Sequence, residues 1–582
     1  MGEVKSELKR IRTNVLVIGG GGSGARAAIE ASRHIDSVYL VTKGSFGKTG
    51  CTPIALGGLA APFGHADSRD NWEIHFKDTL IGGGLLNNQR LAEIMCKEAP
   101  ERVREVESWG SAFDRAGNKF YQRQLGGHTY PRTLTSGDEI GRELMVGLVN
   151  QCRARKNIRI MDDVYVTKLF TDRNRICGAL GVELRTGEVL VFETSAVIIA
   201  VGGCGRLWEP YCIAPYGKIG DGLRLAYEVG AEVVDIESYQ YHPTGVIWPR
   251  FLAGRLMSEG IRGEGGRLYN ALGERFMERY DPSKLELATR DYTSRCIFKE
   301  VKEGRGTPHG GVWLSVAHLP PKIVEERCPT AVDRLEVAGI DMRKEPVEVR
   351  WMNHYQNGGI KVDEHWATNV KGLYAVGEVA GGVHGGNRLG SNSLPNLLVS
   401  GRRAGEDSAR YAEDVGDMTV PEDKIVEELE VIRAPLLSEK GYSPYELKDL
   451  LAETMNRYVD IARNRGGLEK ALEIFKGVSE KLSSLKASGR SLKLNKDWEA
   501  AIELRSRVIA CEMIVRASLF REESRAAFYR EDFPETDRKH WDCNVVVKCG
   551  GDAGMLLEKV PLVATILDPK EAELPPFPTP GR

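Results

Sequence analysis

Residues 14–31, NVLVIGGGGSGARAAIEA, run from an apolar strand through a glycine turn into a helix of small residues. Gly19, Gly21 and Gly24 hold the GxGxxG spacing. The first permits a tight turn, the second lets backbone approach a pyrophosphate, and the third lets helix and strand pack closely. The helix N-terminus then faces phosphate charge with free N–H groups. The spacing alone is a weak signal, but lodged between strand and helix it predicts a Rossmann-like dinucleotide-binding α/β domain. The next strand, SVYLVTK (37–43), ends in Thr42-Lys43. The acid that meets the ribose in an NAD site is missing, so another cofactor arrangement is expected.

At 582 residues the chain is too long for one core, and several domains are expected. SAVIIAVGGCG (195–205) and GLYAVGEVAGG (372–382) are apolar runs ending in glycines, as strands buried in a parallel sheet do. Between them, from Val246 to about Trp351, the pattern turns to mixed charge and irregular loops. The cofactor domain is therefore expected to be discontinuous, 1–245 and 352–420, around an insertion at 246–351. A helical domain follows at 421–540, where Leu468, Leu472, Phe475 and Leu482 form an amphipathic stripe. Residues 541–582 make an extension that closes in the Pro-rich tail LPPFPTPGR, read as extended.

Lysine plus arginine at 80 against 82 acids leaves a charge of −2, which argues against nucleic-acid and membrane-surface binding. No apolar run approaches the ~20 residues of a membrane span, so no direct membrane insertion is expected. MGEVKSELKRIRT carries charges with no apolar segment behind them before the first strand, and is not a secretory signal. Met1-Gly2 has nothing beside it to support myristoylation. The eleven cysteines include no CxxC pair. Neither a metal site nor a disulfide framework has its spacing, and Cys543 and Cys549 flank what reads as a strand, NVVV. A reducing cytoplasm fits, with no iron–sulfur cluster on this chain.

SEGIRGEGG (258–266) sets Glu259, Arg262 and Glu264 among four glycines, which alone reads as a solvated loop. Other segments change that reading: QYHPTG (240–245), TRD (289–291), HYQNGGI (354–360), GLYAVGEVAGGVHGGNRLGSNSL (372–394) and REESRAAFYREDFPETD (521–537). With the N-terminal fingerprint and in this order, they resemble the flavoprotein subunits of fumarate reductase and succinate dehydrogenase, with L-aspartate oxidase as a cousin. The resemblance covers nearly the whole chain. It implies an α/β fold: a Rossmann-like FAD-binding domain, an inserted α+β capping domain and a C-terminal helical domain.

By that resemblance Arg290 is the proton donor to fumarate, and Glu259 and Arg262 are the relay that reprotonates it. A guanidinium can act as an acid only where burial and neighbouring cations such as Arg262 and Arg388 disfavour its charge. The bland alternative makes Arg290 an ion-pair partner of Asp291. His242, Ser258, His354 and Arg388 take the carboxylate-binding positions, with Arg388 offering a bidentate fork. FAD contacts are implied at Gly19, Gly21, Gly22, Gly24, Thr42 and Lys43. Others are implied at Cys51, Thr52, Gly57, Gly58 and Asp221, and at Glu378, Ser393 and Leu394. Glu378 would accept from sugar hydroxyls, and the helix beginning near Ser393 would turn its N–H groups to the flavin.

Two departures from the family pattern refine this. Relatives that bind FAD covalently carry a histidine six residues before a Gly-Gly pair; here that position is Cys51. The flavin is therefore expected to be held non-covalently, a cysteinyl thioether being the alternative. Aspartate oxidase carries a glutamate before Gly-Gly-His to meet the substrate ammonium, and here the position is Leu125. An ammonium buried against leucine is costly, which favours a dicarboxylate without nitrogen. The expectation is a catalytic flavoprotein reducing fumarate, or oxidising succinate, and fed by an iron–sulfur subunit, as thiol-driven enzymes also are. That partner is expected near Cys543–Cys549 and the tail, with any membrane reached only through partner subunits. The alternatives are L-aspartate oxidase and a non-catalytic flavin-holding electron-transfer subunit.

Overall fold

The computed structural model describes residues 8–575 and 577. At its centre is a five-stranded parallel sheet in the order Leu373–Ala375, Ala196–Ile199, Val15–Ile18, Val38–Val41, Ile158–Met161. The strands VLVI, VYLV and AVII are buried at every position, the continuous apolar character that a sheet covered on both faces requires. Val15 pairs with both Ala196 and Val38, so the glycine turn leaves the carboxyl end of the central strand. Ligand crevices of open parallel sheets form at that end.

Helix Gly22–Ala31 leaves the turn and packs along helix Ser393–Val415. The approach is close because two glycines face it. A Cβ on Gly401 would lie 2.7 Å from the Ser23 carbonyl oxygen, and one on Gly405 2.5 Å from that of Ala27.

A second sheet runs Leu8–Arg12, Val189–Glu193, Arg175–Glu183, Val164–Asp172. Its first strand corrects the sequence reading, which began strand structure only at residue 14. Lys9 pairs with Glu188, and Arg10 and Arg12 with Glu193, so the charges that hid an apolar pattern are what fix this edge strand. A third sheet, antiparallel, runs Tyr239–Val246, Val347–Gln356, Val312–Ser315, Arg267–Tyr269. Its two long strands, which flank the stretch expected as an insertion, pair Tyr239–Val246 with Val349–Gln356. Helix Arg290–Lys302 lies on its first strand.

A fourth sheet joins Gly359–Ile360, Val233–Val234, Cys543–Cys549 and Met555–Pro561. Helices Glu422–Leu437, Pro444–Tyr458, Arg465–Ser479 and Lys496–Phe520 complete the C-terminal part. The stripe of the third helix is Leu468, Ala471, Phe475 and Val478. Leu482 does not continue it. The helix ends at Ser479, and Leu482 opens a separate turn, Leu482–Ser484.

Among the described residues no helix is long and apolar enough to cross a membrane. The leader reading at residues 1–7 and most of the tail reading, at 576 and 578–582, lie outside the described residues.

Candidate active site

Segments far apart in sequence meet around the glycine turn. Gly19, at φ +118°, has no room for a side chain: a Cβ would lie 2.4 Å from the Ala200 carbonyl oxygen. One on Gly24 would meet the Gly19 carbonyl oxygen at 1.9 Å. At Gly21 the nearest atom is 3.8 Å away, which leaves the end of helix Gly22–Ala31 open to a phosphate. Beside it the Gly22 N–H donates to Thr52 Oγ1 at 3.1 Å, and the Thr42 side chain packs beneath Gly20. Gly58, at φ +119°, is closed in by Thr133, whereas Gly57 faces open space.

Helix Ser393–Val415 starts without a side-chain cap. The side chain of its N-cap residue, Asn392, instead donates to Thr79 Oγ1 at 2.9 Å and meets His75 Nε2 at 2.8 Å. The N–H groups of Ser393 and Leu394 are thus left for a ligand, Pro395 having none and the Asn396 N–H donating to the Asn392 carbonyl. Close-set glycines and an uncapped helix end over the sheet's carboxyl edge fit FAD.

Glu378 accepts from Lys218 Nζ at 2.5 Å and from the Gln356 N–H at 3.1 Å. Lys43 and Asp221 come together, Nζ to Oδ2 at 3.7 Å, but face the helical part. The Lys43 ammonium binds Glu503 at 2.5 Å and lies 3.8 Å over the Tyr165 ring, while Asp221 accepts from Ser506 and Tyr165. Cys51 opens the turn Thr52–Ile54, and burial pushes its thiol up despite the Lys218 ammonium.

Strand alternation puts Gln240 and His242 on one face of Tyr239–Val246. Opposite, Gln240 pairs with Tyr355 and Tyr241 with Asn353, so His354 is the extra residue of a bulge. The bulge turns His354 toward His242, their rings 5.4 Å apart and edge-on. His242 Nδ1 accepts from the Thr244 N–H at 3.3 Å. His242 Nε2 and His354 Nδ1 are buried without a partner.

Arg290 begins its helix and donates from Nε to Glu259 Oε2 at 2.6 Å and from Nη1 to Gln240 Oε1 at 3.2 Å. Arg388 Nη2 donates to the same Gln240 oxygen at 2.8 Å. The Gln240 amide nitrogen donates in turn to the Arg388 carbonyl at 2.6 Å. Ser258 is the N-cap residue of the short helix Glu259–Gly263, and its hydroxyl does not bond that helix. The pairing of Arg290 with Asp291 is excluded: Asp291 binds Arg295 at 3.0 Å and Asn387 at 3.3 Å. Arg262 has no hydrogen bond to Glu259. It donates to the Glu286 carbonyl and leaves Nε and Nη2 buried and unpartnered.

Charge shapes the cluster. Burial alone would raise the Glu259 carboxyl, but Arg290 and Arg262 outweigh it and hold it down at about 2. Arg388 is pushed down to about 10, by burial first and by Arg290 second. Arg262 is lowered by burial too. His242 and His354 stay neutral, held well below the usual imidazole range by burial and then by Arg290.

Sequence reasoning missed two residues here. Gln240 was visible only as part of QYHPTG, though alternation with His242 places it on the site face. Lys218 belongs to no motif. Leu125, buried, packs at Gly390 next to the Arg388 loop, so that wall is apolar.

The chain matches the family described as "FAD binding domain" over residues 14–394, and "Fumarate reductase flavoprotein C-term" over 448–574. It is similar to a fumarate reductase (CoM/CoB) subunit of Methanothermobacter marburgensis, with 41% identity over 92% of this chain and 96% of that one. To the succinate dehydrogenase flavoprotein subunit of Rickettsia bellii it is 33% identical, over 97% of both. A solved structure of the E. coli quinol fumarate reductase chain, a point variant, superposes with a TM-score of 0.91 at 30% identity, covering 96% of this chain and 98% of that one. The chain is a member of the FAD-dependent flavoprotein family of fumarate reductases and succinate dehydrogenases.

Proposed function

We propose that the protein is the catalytic flavoprotein subunit of an enzyme that reduces fumarate to succinate. One observation carries this reading: a buried cluster whose unmet demands match a dicarboxylate. Three guanidiniums, those of Arg262, Arg290 and Arg388, share the carboxylate of Glu259, while Lys218 and Glu378 neutralise each other. Two positive charges remain, the complement of a dianion. His242 Nε2, Arg388 Nε and Arg262 Nη2 are buried without partners, and each unmade bond costs about 1–3 kcal/mol until a ligand makes it.

In this reading Arg388 grips one carboxylate, and His242, His354 and Ser258 bind the remaining oxygens. Bound FAD supplies the hydride for one alkene carbon. Arg290 holds the proton for the other at its guanidinium, oriented by Gln240. Glu259, a carboxylate at rest, takes a proton from solvent and passes it to Arg290 once Arg290 has given its own to the substrate carbon, and Arg262 supports the relay through its field. FAD is held without a covalent bond, because the Cys51 sulfur is kept a thiol and not the nucleophilic thiolate. Electrons come from a separate iron–sulfur subunit. The relatives named as subunits support that, as does the scatter of this chain's free cysteines.

The test uses the FAD-loaded protein and a reduced artificial dye. Fumarate should reoxidise the dye, and Arg290→Ala should lose at least about a hundredfold in kcat with FAD retained. Undiminished turnover in that variant would remove Arg290 from its role. Peroxide formed from aspartate would promote the oxidase reading, against which the apolar wall at Leu125 stands.

A further inference from the structure

We propose that the ring of Tyr355 is the seat that holds the Arg388 guanidinium, in its charged form, for the substrate carboxylate, which makes Tyr355 a positioning residue of the clamp. Successive residues of a strand point to opposite faces, so His354 and Tyr355 would ordinarily not share a site. The bulge at His354 lifts that restriction. His354 reaches His242, while Tyr355 stands directly opposite Gln240 on the neighbouring strand. The Arg388 guanidinium lies across this cross-strand pair. Its Nη2 donates to Gln240 Oε1 at 2.8 Å, and its carbon sits 4.5 Å over the centre of the Tyr355 ring.

Arg388 is buried, and the carboxylates that act on it are engaged elsewhere, Glu259 with Arg290 and Glu378 with Lys218. Its Nη1 makes only a long bond to the Leu389 carbonyl, at 3.4 Å, and among the described residues Nε has no partner. A desolvated cation in that position gains from an aromatic face, whose negative quadrupole attracts it more strongly where water is excluded. The ring is fixed in turn. His384 packs edge-on against it at 5.6 Å, and Asn396 Nδ2 lies 3.3 Å from His384 Nε2. The bland reading makes Tyr355 packing alone. What separates it from packing is that the cation it covers shares its acids with other bases. The inference rests on Arg388 gripping a substrate carboxylate.

The experiment compares the FAD-loaded parent with Tyr355→Phe, Tyr355→Leu and a chain carrying pentafluorophenylalanine at position 355, which keeps the ring's shape and reverses its charge. FAD content is measured first, then malonate binding by calorimetry across the alkaline range. Arg388 is depressed to about 10, so a dianion that binds it takes up a proton near that pH. Removing the aromatic face withdraws support from the charged form, and the uptake moves to lower pH. The other titratable groups facing Arg388, which are Arg290, Glu259, Glu378, His242, His354 and His384, are the same in all four proteins. Tyr355→Phe should bind malonate like the parent. Tyr355→Leu and the fluorinated chain should keep FAD, bind malonate about tenfold more weakly and take up their proton about one pH unit lower. A fluorinated chain that matches Tyr355→Phe in both respects overturns the proposal, and so does one that cannot hold FAD, because the ring would then serve the fold. Weakened binding in Tyr355→Phe would overturn it too, by giving the role to the phenol. A parent that binds no malonate removes the clamp itself, whereas binding that ignores the ring removes only Tyr355.

Discussion

Two guanidiniums that share one amide oxygen repel each other, yet Gln240 Oε1 holds Arg290 at 3.2 Å and Arg388 at 2.8 Å. The strain shows in Arg388, depressed to about 10 by burial and by Arg290. The sign of its effect follows. A cation whose pKa is lower in the fold than in the unfolded chain costs stability while charged, and the cost fades as pH rises through about 10. A bound dianion reverses this by favouring the charged form. Binding of a dicarboxylate analogue should therefore take up protons near pH 10 and none near pH 8, and its affinity should fall above pH 10. Calorimetry in two buffers of different ionisation enthalpy reads the uptake, and equal values at both pH settings would refute it. On the acid side the affinity should stay flat between about pH 7 and 8. Glu259 is ionised throughout that range, and both histidines are neutral. The residue types of this cluster were legible in QYHPTG, SEGIRGEGG and HYQNGGI. Their partners were not: Arg290 turns to Glu259 and Gln240, away from its sequence neighbour Asp291.

Elements were legible where a local period survives. The buried strands and the glycine turn read directly, because a parallel strand covered on both faces is apolar at every position. Edge strand Leu8–Arg12 did not, since its outward charges mask the period, and neither did the bulge at His354, which no pattern marks. Helix Ser393–Val415 carries both the uncapped end proposed to face the flavin and the close contact with Gly22–Ala31, so the two are coupled. Gly405→Ala should force the pair apart and cost about 1–3 kcal/mol, with weakened FAD binding. Gly477→Ala, in the helical part with nothing near its Cβ position, should instead stabilise by roughly 0.5–1 kcal/mol. Denaturant unfolding of the two variants checks the contrast, and similar shifts in both would remove the packing argument.

At the scale of the molecule, REESR is a joint rather than a site. Arg521 binds Asp235 at 3.0 Å, Glu237 at 2.5 Å and Glu523 at 3.0 Å, all fully or nearly buried. It ties the end of helix Lys496–Phe520 to the loop that feeds strand Tyr239–Val246. Arg521→Ala leaves Asp235 and Glu237 without their cation, Glu523 keeping Arg525, and should cost about 3–5 kcal/mol, read as a drop in the thermal midpoint. An unchanged midpoint would show the network to be dispensable. The glycine turn and the kinds of side chain near it could be read from the chain alone, because glycine spacing, strand period and short charged motifs are local properties. Only the tertiary structure decided how the charges pair. Gln240 meets Arg388 across 148 residues and Lys218 meets Glu378 across 160. Burial, which sets what each charge is worth, exists only once those segments are packed together.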